Sequence, residues 1–122
     1  MELDPITTEV IGSSLLAAAE EMGEILVRAS FSTNIKERRD CSAGILDVTG
    51  STIAQASHIP LHMGSMLGLA QAILKRYPQS EIQKGDVFIT NDPYSGGGSH
   101  LPDITVAAPY FGDGELMGFV AN

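Results

Sequence analysis

Asn91-Asp92-Pro93-Tyr94-Ser95-Gly96-Gly97-Gly98-Ser99-His100-Leu101-Pro102-Asp103 is a glycine-rich stretch between two apolar runs. Val87-Phe88-Ile89 precedes it and residues 104–111 follow it, and both runs read as short strands bounded by turn formers. The stretch is therefore a loop that joins strand to strand. Glycine contributes no packing and costs backbone entropy, so three in a row mark a backbone that bends tightly or lies close to something. The loop is not a phosphate loop, because no Gly-Lys-Ser/Thr follows and the next element is a strand. Its backbone amides can still cradle an anion.

Outward from the loop, the elements alternate in type. A turn at Gly112-Asp113-Gly114 folds residue 116 onward back as a hairpin. On the other side, Met63, Met66, Leu67, Ala70, Ile73, Leu74 and Tyr77 form a helical stripe, with Lys75 and Arg76 at its C-terminal end and Pro78 as its stop. Gly64 and Gly68, one turn apart, weaken that helix but let another element approach closely. Residues 42–48 and 51–56 read as two strands around Thr49-Gly50, and residues 31–40 as a polar loop. Asp4-Pro5 starts a long helix, with Asp4 as N-cap and Pro5 in the first turn. Ile11, Leu15, Ala18, Met22, Ile25 and Ala29 give it an apolar stripe. Glu20, Glu24 and Arg28 lie off the stripe and read as a solvated face, with Glu24 and Arg28 at a supportive spacing of four.

The expected class is α+β: a mixed sheet with a long N-terminal helix and a second helix, as an incomplete part of a larger domain. The strand order stays open. Residues 116–122 read as a strand without a tail, and a strand there needs pairing from polypeptide that follows. On this reading the stripe of the long helix lacks its cover, so the isolated chain is expected to be aggregation-prone or molten.

The bulk properties narrow the partners. The 122 residues suffice for one domain, and 43 % are apolar, which suits a folded chain. Fifteen acids against seven bases give a net charge of -8 with no basic run, so no nucleic acid is expected as partner. Cys41 is the sole cysteine, which rules out an internal disulfide and points to a reducing, cytoplasmic setting. The acidic start is not a signal peptide, and no stretch has the length of a membrane span.

Candidate chemistry concentrates in the loop. His100 and Asp103 can supply one nitrogen and one carboxylate to a hard or borderline metal ion. Two ligands do not close a site, and the ordinary reading has His100 bonded to a loop carbonyl and Asp103 capping a turn. Pro102 keeps Leu101 out of the helical region, so the segment is expected to be extended. Asn91 reads as turn chemistry, whereas Asp92 is open between a turn role and facing the site as a base or orienting group. His58 and His62 are four apart, but Pro60 between them places at least the first outside a helix. Cys41 near Lys36, Arg38 and Arg39 has the cations a thiolate needs, while a small half-buried cysteine in a strand is the plainer reading. Ser42 has no base near it in sequence, and the five methionines read mainly as core.

Four segments in order carry a resemblance. They are Asp4-Pro5-Ile6-Thr7, Ile35-Lys36-Glu37-Arg38-Arg39-Asp40, the run from His58 to Met66, and Gly85-Asp86-Val87-Phe88-Ile89-Thr90-Asn91-Asp92-Pro93-Tyr94 through Gly97, His100 and Asp103. Together they resemble the hydantoinase B/oxoprolinase family, the B-type subunits of ATP-dependent hydantoinases, 5-oxoprolinases and acetone-type carboxylases. The resemblance implies that residues 1–122 are the N-terminal portion of such a domain. It implies hydrolysis of a cyclic amide (hydantoin or 5-oxoproline type), with ATP used by an A-type partner subunit or domain, in a hetero-oligomer. Ketone carboxylation is the alternative within the family. It also implies a divalent transition metal (manganese, iron or zinc) with His100 and Asp103 as ligands, a further histidine expected shortly after Asn122, and Asp92 and His58 as candidate catalytic residues of the pocket.

Two other readings compete: a truncated, non-catalytic assembly fragment, and a small module binding calcium or an anion at the glycine loop. No calcium-loop ligand spacing supports the last.

Overall fold

The computed structural model describes residues 4–59, 64, 66–96 and 98–122. His62, Met63 and Gly97 lie outside these residues. Helix α1 spans Pro5–Ala29 and the short helix α2 spans Thr33–Lys36. Strands β1 (Gly44–Asp47) and β2 (Thr52–Gln55) precede helix α3 (Leu69–Arg76), which is followed by a 3-10 turn at Gln79–Glu81. Strands β3 (Phe88–Thr90), β4 (Thr105–Gly112) and β5 (Glu115–Ala121) complete the order. The class is α+β.

The five strands form one sheet in the order β2-β1-β5-β4-β3. Every pairing is antiparallel, so the expected mixed sheet is corrected. Tight turns impose this on β1–β2 and β4–β5, because a short connection can only reverse the chain. Asp113 (φ 50) and Gly114 (φ 85) make the β4–β5 turn, both left-handed as a two-residue hairpin requires. In the β1–β2 turn, Asp47 Oδ1 accepts from the amides of Thr49 at 2.8 Å and Ser51 at 2.9 Å. β5 is the central strand, paired to β1 on one side and β4 on the other. The pairing expected from polypeptide beyond the strand is thus supplied by β1 and β4.

Alternation along the strands sends side chains to opposite faces, and each face carries one helix. Leu46, Phe119, Ala107 and Ala121 pack with Leu69, Ala70 and Ile73 of α3. Phe119 is completely buried, which contributes roughly 1.5–3 kcal/mol by removing its ring from water. Phe88, from edge strand β3, meets Phe119 edge-on at 6.1 Å and Tyr77 at a tilt at 5.3 Å. Phe88 is half-buried, and its neighbours Val87 and Ile89 are exposed.

On the other face Ile45 and Ala54 meet Ala19 of α1. Asp4 caps α1, its Oδ1 accepting from the amides of Ile6 at 3.0 Å and Thr7 at 3.1 Å. The buried positions are Ala19, Gly23 and Val27, not the expected stripe. Ile11 and Ile25 of that stripe are exposed, as are Ile6 and Val10. A 25-residue helix is roughly 37 Å long and far outruns four-residue strands. Arg28 is exposed as expected, while Glu20 and Glu24 are half-exposed and have partners. Glu20 accepts from the Ser57 amide at 2.8 Å and from its hydroxyl, and Glu24 pairs with the guanidinium of Arg39. The region expected to be a loop at 31–40 contains α2.

Candidate functional site

The glycine loop leaves β3 at Thr90 and returns to β4 at Thr105. Asn91 staples its base, the side-chain amide donating to the Leu101 carbonyl at 2.9 Å. Asp92 builds the first bend. Its Oδ1 accepts from the Tyr94 amide at 2.9 Å and its Oδ2 from the Ser95 hydroxyl at 2.7 Å. These bonds, that from Ser95 foremost, hold the Asp92 carboxyl below the usual carboxylate range. Asp92 thus takes the turn role within its own loop. Gly96 (φ 102) then crosses the start of α3, where an added Cβ would lie 3.0 Å from the Gly68 carbonyl. The approach needs glycine at position 96; Gly68, expected to admit a neighbour, instead supplies a left-handed residue (φ 85) ahead of α3, with open space where a Cβ would sit.

The loop ends in a turn. The Asp103 amide donates to the His100 carbonyl at 3.1 Å, so the segment expected to be extended reverses instead. The reversal brings His100 Nδ1 to 3.3 Å from Asp103 Oδ2. Both side chains retain solvent access and line a cleft of about 540 Å³. Leu26 of α1, Ile35 of α2, and Cys41, Ser42 and Asn122 form other parts of its wall. Burial pushes the Cys41 thiol up, with Asp40 adding to the effect, so it is held as a thiol. It lies just before β1 and is buried. Ser42 donates its hydroxyl to the Ile59 carbonyl at 2.8 Å.

His58 sits elsewhere. It lines a smaller cavity of about 310 Å³ with Glu20, Arg38, Arg39, Ser57 and Ile59. Its Nε2 is buried without a hydrogen-bond partner among the described residues, pressed against α1 where Gly23 has no side chain. The site thus unites His100 and Asp103 and leaves His58 and Asp92 apart from them.

The spacing of the pair fits a metal ion. Two donors about 2.0–2.1 Å from a tetrahedral cation stand about 3.3 Å apart. The His100–Asp103 separation meets that spacing. Among the described residues no third histidine, cysteine or acid joins them. The pair by itself offers two donor atoms. The cleft walls from α1 and α2 are not legible in the sequence as site residues, because only the tertiary fold brings them to the loop.

The chain belongs to the hydantoinase B/oxoprolinase family, whose model matches residues 4–122. It is 42 % identical to 5-oxoprolinase 1 of Arabidopsis thaliana over 119 residues, which cover 98 % of this chain and 9 % of that protein. An ATP-dependent caprolactamase from Pseudomonas jessenii shares the fold with a TM-score of 0.72 at 27 % identity, over 99 % of this chain and 21 % of the other. The nucleotide-free acetone carboxylase, at 23 % identity and a TM-score of 0.85, covers 97 % of this chain and 16 % of its own; it shows the fold alone. The chain spans about a tenth to a fifth of the length of the curated relatives it matches. Among the described residues no helix is long and apolar enough to cross a membrane.

Proposed function

We propose that residues 1–122 are the N-terminal portion of a hydantoinase B/oxoprolinase domain and carry part of its metal-assisted site. The reaction is hydrolysis of a cyclic amide of the hydantoin or 5-oxoproline type in the cytoplasm, with ATP used by an A-type partner subunit or domain. The observation that carries this reading is the convergence of His100 Nδ1 and Asp103 Oδ2 at 3.3 Å on the wall of an open cleft. Ring amides as substrates are supported by the relatives: the Arabidopsis protein is named for 5-oxoproline and the Pseudomonas enzyme for caprolactam.

His100 and Asp103 would hold a divalent transition metal. When bound, such an ion polarises a carbonyl and steadies the charge that develops on its oxygen. The remaining roles fall to the chain. The turn from His100 to Asp103 sets the two donors side by side, and the Asn91 staple keeps the loop ends closed. Asp92 acts through loop shape, and His58 by seating the connector against α1. Leu26 and Ile35 give the substrate an apolar wall.

Ketone carboxylation, the alternative that the family resemblance carries, is the second reading. The test is metal content and turnover in a protein that carries this chain with its A-type partner. His100→Ala and Asp103→Ala are expected to strip the metal and abolish ATP-dependent opening of 5-oxoproline or hydantoin. Metal retained at full stoichiometry in both variants would overturn the assignment, and turnover of acetone but neither ring would select the carboxylase.

A further inference from the structure

Ile89 pairs with Val106, Ala108 with Val120, and Val120 with Ile45, so these side chains share the sheet face that carries α1. α1 packs over β2 and β1, at one side of that face. Over β4 and β3 the face is open among the described residues: Ile89 is 70 % exposed, and Val106 and Ala108 are half-buried. α1 turns a second apolar surface towards this opening. Its Glu20 flank meets Ser57 just after β2, whereas Leu26, on the opposite flank, lines the cleft with Ile104 and Val106. Leu15 and Met22 on the Leu26 flank are half-buried, and Ile11 and Ile25 beside them are exposed. The stripe read from the sequence is thus the wall of a trough whose floor is β4 and β3. We infer that this trough seats one amphipathic helix from elsewhere in a longer polypeptide, packed alongside α1. The inference rests on the chain being a portion of a hydantoinase B/oxoprolinase domain and not on the metal.

Dimensions favour a helix. Strands stand about 4.8 Å apart, so five span roughly 20 Å, whereas a helix with its side chains is about 10–12 Å across. One face of this sheet therefore takes two helices side by side, and α1 is the first. A second sheet does not fit the remaining half, because sheets stack face to face and α1 already stands in that layer. An occupant that touches both floor and wall needs a broad apolar arc, with its charges confined to the outer side. A second copy would have to offer the outer side of α1, where exposed Ser13, Ser14 and Glu21 leave one narrow apolar line rather than such an arc. The region matched here is 9–22 % of the length of the curated relatives, so they have ample polypeptide for the helix. Leu26 and Val106 belong both to the trough and to the cleft of His100 and Asp103, so the seated helix also walls that cleft.

The experiment uses a full-length protein that carries this chain, footprinted with a photogenerated carbene when native and when unfolded in urea. Ile11, Ile25 and Ile89 are expected to be labelled about tenfold less or lower in the native protein, as residues in a packed interface are. A second measurement replaces Ile25 with p-benzoylphenylalanine and maps the photo-crosslink, with isotopically mixed subunits to separate contacts within one polypeptide from contacts between two. The expected partner is a helical segment of the same polypeptide outside residues 1–122. Native labelling equal to that in urea overturns the inference, as do crosslinks to an A-type partner or to a second copy alone. The footprint needs no substitution, so it stands even where the photo-crosslinking variant does not fold. A protein that opens 5-oxoproline or hydantoin while its trough stays labelled overturns the inference and leaves the proposed function. Protection in a protein that binds no metal does the reverse.

Discussion

The imidazole of His58 fills the space that a side chain at Gly23 would occupy. That is why a glycine stands in the middle of α1, where it costs about 1 kcal/mol against alanine. Gly23→Ala is expected to expel the ring and lower stability. In a His58→Ala background the same substitution is expected to stabilise by about 0.5–1 kcal/mol, because only the helix preference remains. Chemical denaturation of the four proteins gives the coupling. Additive effects would remove the proposed link.

Gly118 in central strand β5 has no such escape. An added Cβ would run into the Leu46 carbonyl oxygen of β1, and the ring of Tyr110 closes the space from the other side. Gly118→Ala is expected to cost about 3 kcal/mol, since backbone and not a side chain must yield. A urea midpoint close to the parent's would contradict this.

Acid is expected to loosen the fold. Hydrogen bonds hold four carboxyls below their ordinary 3.8 (Asp) and 4.5 (Glu): Thr7 chiefly for Asp4, Ser57 for Glu20, Thr49 for Asp47 and Ser95 for Asp92. A carboxyl depressed in the folded state binds fewer protons there than in the unfolded chain. Its contribution is complete above the unfolded pKa and is lost as pH falls through the folded one. Stability should be level from neutral to about pH 5 and decline below it. Glu20→Gln should make the decline shallower. Stability that rises on acidification would refute the scheme.

The outer face of α1 predicts self-association. Ile6, Val10 and Ile25 are 77, 59 and 58 % exposed on one helix. The closed core around Phe119 favours association over a molten state among the two outcomes the sequence allows. Sedimentation should show mass growing with concentration, and replacing all three residues with glutamine should return a monomer of similar stability. A monodisperse parent at the same concentrations would exclude this.

Local chemistry is legible along the chain. The Asp4 cap, the Asp113-Gly114 reversal and most of the element order follow from neighbours in sequence, whereas the turn that brings His100 to Asp103 does not. The departures share a cause. Hydropathy favours Ile11, Met22 and Ile25 over Ala19 and Gly23, yet small residues are what let α1 lie close to the sheet. Spacing matches Glu24 with Arg28 four residues on, whereas its partner Arg39 arrives from beyond α2. The exposure of Val87 and Ile89 depends on β3 being an edge, which is a property of strand order.

The middle position of β5 has a kinetic corollary. Gly44 of β1 finds its partner in Ala121, so one flank of an early hairpin waits, unzipped, until β5 has been made. Such remote closure slows folding and leaves Ile45 and Leu46 in search of company on the ribosome, which is where a chaperone would have the most to shield.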